Sequence, residues 1–155
     1  MERTPITPQG LEVLREELIK LKTVERPRNI QAIEEARAHG DLSENAEFHA
    51  AKERQSFLEG RIRELEYKVA SAEVICLGSG PKDRAVFGLT VVLENTDTGE
   101  EIRYVLVGPD ESDIKMGRIS VKSPLGMAIL GKRVDDEIKV QVPGGVRTYV
   151  LVDIE

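Results

Sequence analysis

The sequence predicts an α+β chain in two parts: an N-terminal antiparallel coiled-coil helical hairpin, and a small C-terminal domain of mainly antiparallel strands. Three observations carry that expectation. Apolar residues recur at 3-4 spacing over most of residues 8–75, which is the period of a helix seam. A turn at His39–His49, reading HGDLSENAEFH, divides that stretch into two arms. Beyond Gly78-Ser79-Gly80-Pro81 the period drops to two, the pattern of half-buried strands. The expected division is therefore 1–77 for the hairpin, 78–81 for a linker and 82–155 for the strand domain.

The first arm starts at Thr7-Pro8, an N-cap residue followed by proline at the first helical position. Leu11, Leu14, Leu18 and Leu21 form its seam, and Ile30, Ile33 and Ala36 resume the stripe. Pro27 lies between the two runs, so a kink or phase shift is expected there. Gly40 suits the left-handed conformation that ends a helix. The second arm is expected from near Asp41 to about Cys76, with Phe48, Ala51, Gln55, Leu58, Ile62, Leu65, Val69 and Ala72 as its seam. Arms of roughly 30 residues span about 45 Å at 1.5 Å per residue. Ala50 and Ala51 allow close approach of the arms near the turn. In the second part, Val86–Glu94 and Glu101–Gly108 read as strands joined by Asn95–Gly99. Glu137–Val142 and the last strand are joined by Pro143-Gly144-Gly145, and Ser123-Pro124 caps a short helix ending at Gly131. Asp110–Asp113 reads as an acidic loop.

Composition excludes several classes. The chain has 155 residues, a net charge of −6 and no basic half, which argues against autonomous duplex binding through phosphate neutralisation. Its single cysteine, Cys76, allows no internal disulfide and fits a reducing cytoplasm; at the end of an apolar seam it reads as a buried small hydrophobe. No apolar run reaches membrane-spanning length and no signal-peptide core opens the sequence. Glycine-rich phosphate loops and nucleophile elbows are missing.

The turn carries the chemistry. Asp41 and Glu44 fit a D-x-x-E capping box, a purely structural use. The same two carboxylates can approach one Mg²⁺ from one side. Two carboxylates alone make a weak site, because Mg²⁺ takes six oxygens, so another molecule would have to complete it. His39 and His49 flank the turn on different arms and read as solvated residues rather than a self-contained metal site. Arg37, Lys52 and Arg54 would form a basic strip beside the acids if they share a face; ordinary surface solvation, with Arg37 pairing to Glu34 or Asp41, is the competing account.

The run EARAHGDLSENAEFHAAKE, Glu35–Glu53, resembles the bacterial transcript cleavage factors of the GreA/GreB family. The likeness continues through Arg26-Pro27, Glu59-Gly60-Arg61-Ile62, Val86-Phe87-Gly88, Ile119-Ser120-Val121, Ser123-Pro124-Leu125-Gly126, Leu130-Gly131-Lys132 and Pro143-Gly144-Gly145. This resemblance implies that the strand domain is FKBP-like and docks on bacterial RNA polymerase at the rim of its secondary channel. It implies that the hairpin enters the channel and reaches the nascent RNA 3′ end of a backtracked complex. Asp41 and Glu44 would then help hold a second Mg²⁺, shared with the polymerase active site and not bound stably by this chain alone. Arg37 and Lys52 would contact the RNA. Phe48 stands where many members have tyrosine, so any role of that hydroxyl is lost. The expected protein is a cytoplasmic monomer that stimulates hydrolysis by polymerase and is not itself an enzyme. One alternative is an inhibitory paralogue that blocks the same channel; a lone acidic pair, rather than a denser acidic tip, disfavours it. A prolyl isomerase is disfavoured by the few aromatics available, Phe87, Tyr104 and Tyr149.

Overall fold

A computed structural model describes residues 2–41, 45–78 and 81–155. Two compact units are present, one of residues 11–71 and one of residues 2–10 with 72–155. The boundary therefore falls differently from the expected one: residues 2–10 and 72–77 group with the strand domain. The reason is a short parallel pairing of β1 (Thr4–Ile6) with β2 (Ala72–Val74), which draws both segments into that unit.

In the helical unit, α1 (Pro8–Lys20) runs into a π-helical turn, Leu21–Glu25, and then α2 (Arg26–Arg37). The phase shift expected from Pro27 is this π turn. Proline cannot donate a backbone hydrogen bond and its ring strikes the carbonyl four residues back. Here the Arg26 N–H reaches back five residues, to the Leu21 carbonyl, which widens the turn just ahead of the ring. Beyond it the buried stripe is Asn29, Ile33 and Ala36, whereas Ile30 is 46% exposed. Asn29 replaces Ile30 in the interface because its amide has a partner: Nδ2 donates to the Ala51 carbonyl at 2.9 Å.

Helix α3 (Ala46–Ala70) returns along the first arm, burying Ala51, Leu58, Ile62 and Leu65. Antiparallel packing of α2 and α3 is read directly from their partners. Arg26 meets Glu59, Asn29 meets Ala51, and Ala36 meets Asn45, so residue numbers fall on one arm as they rise on the other. Helix α3 is shorter than expected at both ends. It begins at Ala46 rather than near Asp41, and stops at Ala70 rather than Cys76 because Ala72–Val74 is taken up as β2. Cys76 consequently lies beyond the helix and is exposed, not a buried seam residue.

The second unit holds a five-stranded sheet in the order β5-β4-β3-β7-β6, formed by β3 (Thr90–Asn95), β4 (Glu101–Val107), β5 (Arg118–Ser120), β6 (Glu137–Val142) and β7 (Gly145–Ile154). All neighbours are antiparallel except β4 and β5, which are parallel. Strand β3 starts later than expected, because Gly88 takes φ +89° in a turn before it. A bulge in β7 inserts Val152 between the pairs Leu93–Leu151 and Val92–Asp153. The buried face therefore passes from Tyr149 and Leu151 to Ile154. Helix α4 (Pro124–Ile129) is capped by Ser123, whose Oγ accepts the Gly126 N–H at 3.0 Å. Leu89, Val91, Leu93, Leu106, Ile129, Ile138 and Leu151 form an aliphatic core at no more than 1% exposure.

Glu111, expected only as part of an acidic loop, fastens the N-terminal segment within this unit. Its carboxylate accepts the Thr7 N–H at 2.9 Å, the Thr7 hydroxyl, and the Gly108 N–H at 3.2 Å. Thr7 in turn caps α1, with Oγ1 accepting the Gly10 N–H at 3.0 Å. Gly108 and Gly10 make this approach possible. A β-carbon on Gly108 would lie 2.2 Å from the Pro5 carbonyl oxygen, and one on Gly10 would lie 2.3 Å from Glu111 Oε1.

Candidate functional site

The turn between α2 and α3 is built from its two helix ends. Helix α2 closes at Arg37, and Gly40 adopts φ +107°, the left-handed exit expected of it. Asp41 follows and is exposed. Glu44, the other half of the acidic pair, lies outside the described residues. The residue that caps α3 is Asn45. Its Oδ1 accepts the Phe48 N–H at 3.0 Å, the standard side-chain role at an N-cap. Its Nδ2 donates to the Ala36 carbonyl at 2.6 Å, so one amide both starts α3 and ties it to the end of α2. Asp41 is therefore not the N-cap of α3. Asparagine is among the best N-caps, so the signal for Asn45 was present in the sequence, but the capping-box pattern at Asp41 competed with it.

Around this clasp the turn is lined with charge. The Arg37 guanidinium sits over the Phe48 ring, 5.9 Å from its centroid. Phe48 meets His49 edge-on at 5.8 Å between centroids. Lys52 lies one turn beyond Phe48 on the same helix face and donates to Gln55 Oε1 at 2.9 Å. Arg54 does not join this strip as expected; its Nη2 is 3.6 Å from Glu25 on the opposite arm. His39 Nε2 lies 3.7 Å from Glu47 Oε2, across the turn, and both side chains are exposed. Among the described residues no group of three or more His, Cys, Asp or Glu gathers at one point.

Further along the arms, ion pairs set the electrostatics. Arg26 forms a two-point bond with Glu59, at 2.9 Å for each contact. That bond holds the Glu59 carboxyl below its ordinary range and the Arg26 guanidinium above its own. Arg61 engages Glu17 in the same way at 2.9 Å and Glu64 at 3.0 Å, so its proton is held still more firmly.

Two family profiles together cover nearly the whole sequence. "Transcription elongation factor, N-terminal" matches residues 4–74, and "Transcription elongation factor, GreA/GreB, C-term" matches residues 80–155. The chain belongs to the GreA/GreB family of transcription elongation factors. Among its relatives is the transcription elongation factor GreA of Alkalilimnicola ehrlichii, 54% identical over 155 residues, spanning 99% of this chain and 98% of the relative. The GreA of Halorhodospira halophila is 55% identical over 157 residues, again spanning 99% and 98%. Among solved structures, the GreA factor homolog 1 of Thermus thermophilus is 29% identical, covers 99% of each chain and superposes with a TM-score of 0.45. The boundary between the two GreA/GreB profiles falls after residue 74, close to the end of β2.

Proposed function

We propose that this chain enters the secondary channel of bacterial RNA polymerase and stimulates the polymerase's own cleavage of backtracked RNA, with Asp41 and Glu44 as the groups that reach the reacting centre. The observation that carries the reading is the identity of the cap. Asn45 does the capping of α3, so the segment bearing Asp41 is not required to start that helix, and Asp41 is exposed between the two arms. Relatives named elongation factor GreA at more than half identity support an elongation factor over a blocking paralogue.

The donor set suits the ion this reading needs. Carboxylate oxygens are the ligands of a hard cation such as Mg²⁺, and a pair of them leaves most of its six positions to the polymerase, the RNA and water. When bound, Mg²⁺ supplies Lewis-acid activation of water and charge stabilisation at the leaving oxygen. Asp41 and Glu44 would hold their oxygens toward that position. Arg37 and Lys52 would neutralise phosphate charge next to it. Asn45 would keep the turn closed while the acids act. On this reading the chain supplies ligands to another enzyme's centre and does not hydrolyse RNA alone.

The test is the pair Asp41→Asn with Glu44→Gln. Both changes keep size and remove charge. Cleavage of RNA in arrested polymerase complexes is expected to fall by at least a hundred-fold, on the scale of losing a catalytic group, with melting nearly unchanged because Asn45 still caps α3. Cleavage by the double variant at the wild-type rate would defeat the proposal. Binding to polymerase with slowed elongation and no cleavage by the wild-type protein would select the blocking reading instead.

A further inference from the structure

At the turn between α2 and α3, Arg37 is held by an aromatic ring. Arg37 is exposed, and among the described residues it pairs with no carboxylate; its contact is with the face of Phe48. Phe48 is itself fixed. Its backbone N–H is bonded to Asn45, it is half-buried, and His49 abuts it edge-on. An aromatic face carries negative quadrupole density and attracts a guanidinium stacked within about 6 Å. A mobile arginine loses rotamer freedom when it grips a ligand, so a ring that restrains it beforehand lowers that loss. Lys52 stands one helical turn from Phe48 on the same side. Arg54 is turned to Glu25, and so the strip narrows to Arg37, Phe48 and Lys52.

We propose that Phe48 is a positioning residue: its ring face holds the Arg37 guanidinium ready, beside Lys52, to receive a phosphodiester of single-stranded RNA. The inference rests on the cleavage reading above. It assigns to the ring a role that needs no hydroxyl, so phenylalanine at this position is as competent as tyrosine.

The test replaces Phe48 with pentafluorophenylalanine, which keeps the ring's shape and reverses its quadrupole. In the full-length protein acting on arrested polymerase complexes, the half-saturating factor concentration should rise about two- to five-fold, the scale of an exposed cation–π contact. The effect should fall on half-saturation more than on the plateau rate. Phe48→Tyr should restore wild-type behaviour. Arg37→Ala should flatten the dependence of log half-saturation on log salt by about 0.7, the value for one single-strand phosphate contact. Adding the fluorinated ring to Arg37→Ala should cost nothing further. Wild-type behaviour of the fluorinated protein, or full additivity with Arg37→Ala, overturns the inference while loss of cleavage by Asp41→Asn with Glu44→Gln leaves the parent reading standing. Wild-type cleavage by that acidic double variant overturns both.

Discussion

At the scale of single residues, Asn45 has the largest consequence for the turn. It satisfies one of the orphan amides at the start of α3 and one carbonyl at the end of α2 with the same side chain. Asn45→Ala is expected to destabilise the helical unit by about 1 kcal/mol or slightly more through loss of the cap, seen as a lower melting temperature by circular dichroism. Asn45→Asp should recover the cap but not the tie to Ala36, because a carboxylate cannot donate, and should melt between the two. The place of Asp41 in the turn was legible in the sequence, since a break between two apolar seams is visible by spacing alone. Which residue caps the helix was not, because Asp41 and Asn45 both fit cap chemistry and only backbone geometry separates them.

At the scale of elements, the seam of α3 and the capped starts of α1 and α4 were legible, and the two ends of α3 were not. Leu58, Ile62 and Leu65 follow from helical period, and their burial matches it. The termination of α3 does not, because the apolar period continues past Ala70 and only the pairing of Ala72–Val74 with Thr4–Ile6 interrupts it. A three-residue parallel strand has no local signature, since its partner is remote in sequence. Glu111 is invisible for the same reason: Thr7, which it ties down, lies 104 residues away in sequence. The consequence is testable at Gly108. Alanine there places a methyl group against the Pro5 carbonyl, a backbone atom that cannot swing away. Gly108→Ala should cost about 1–3 kcal/mol, the range for forced overpacking, and hydrogen exchange should speed up at Ile75, whose amide bonds to the Ile6 carbonyl. Glu111→Gln should loosen the same amides less, because it keeps one acceptor oxygen.

At the scale of the whole molecule, the arms are cross-linked by exposed charge as well as by the seam. The Glu59 carboxyl is held below its ordinary value by its bond from Arg26, and that of Glu64 by Arg61 first and Lys68 second. A folded-state value depressed below the unfolded one means the stabilisation is present above the unfolded value near 4.5 and is lost as pH falls through the lower, folded one. The melting temperature should therefore drop as pH is taken below about 4.5, and Glu59→Gln should flatten that drop; an equal drop in both proteins would exclude this pair as a source. The pairs are largely solvent-accessible, so molar salt at neutral pH should screen them, and because each such pair is worth little the melting temperature should fall only modestly. The pairing of β1 with β2 has a different kind of consequence. During synthesis Thr4–Ile6 emerges long before Ala72–Val74 and must wait while every residue of both arms is made. Closing so long an open loop is entropically costly, but a zipped hairpin shortens the excursion to a few residues at its base. Formation of the arms should thus set the clock for docking of the N-terminal strand, which makes the signal of that small parallel ladder in a refolding experiment a reporter on zipping of the helices.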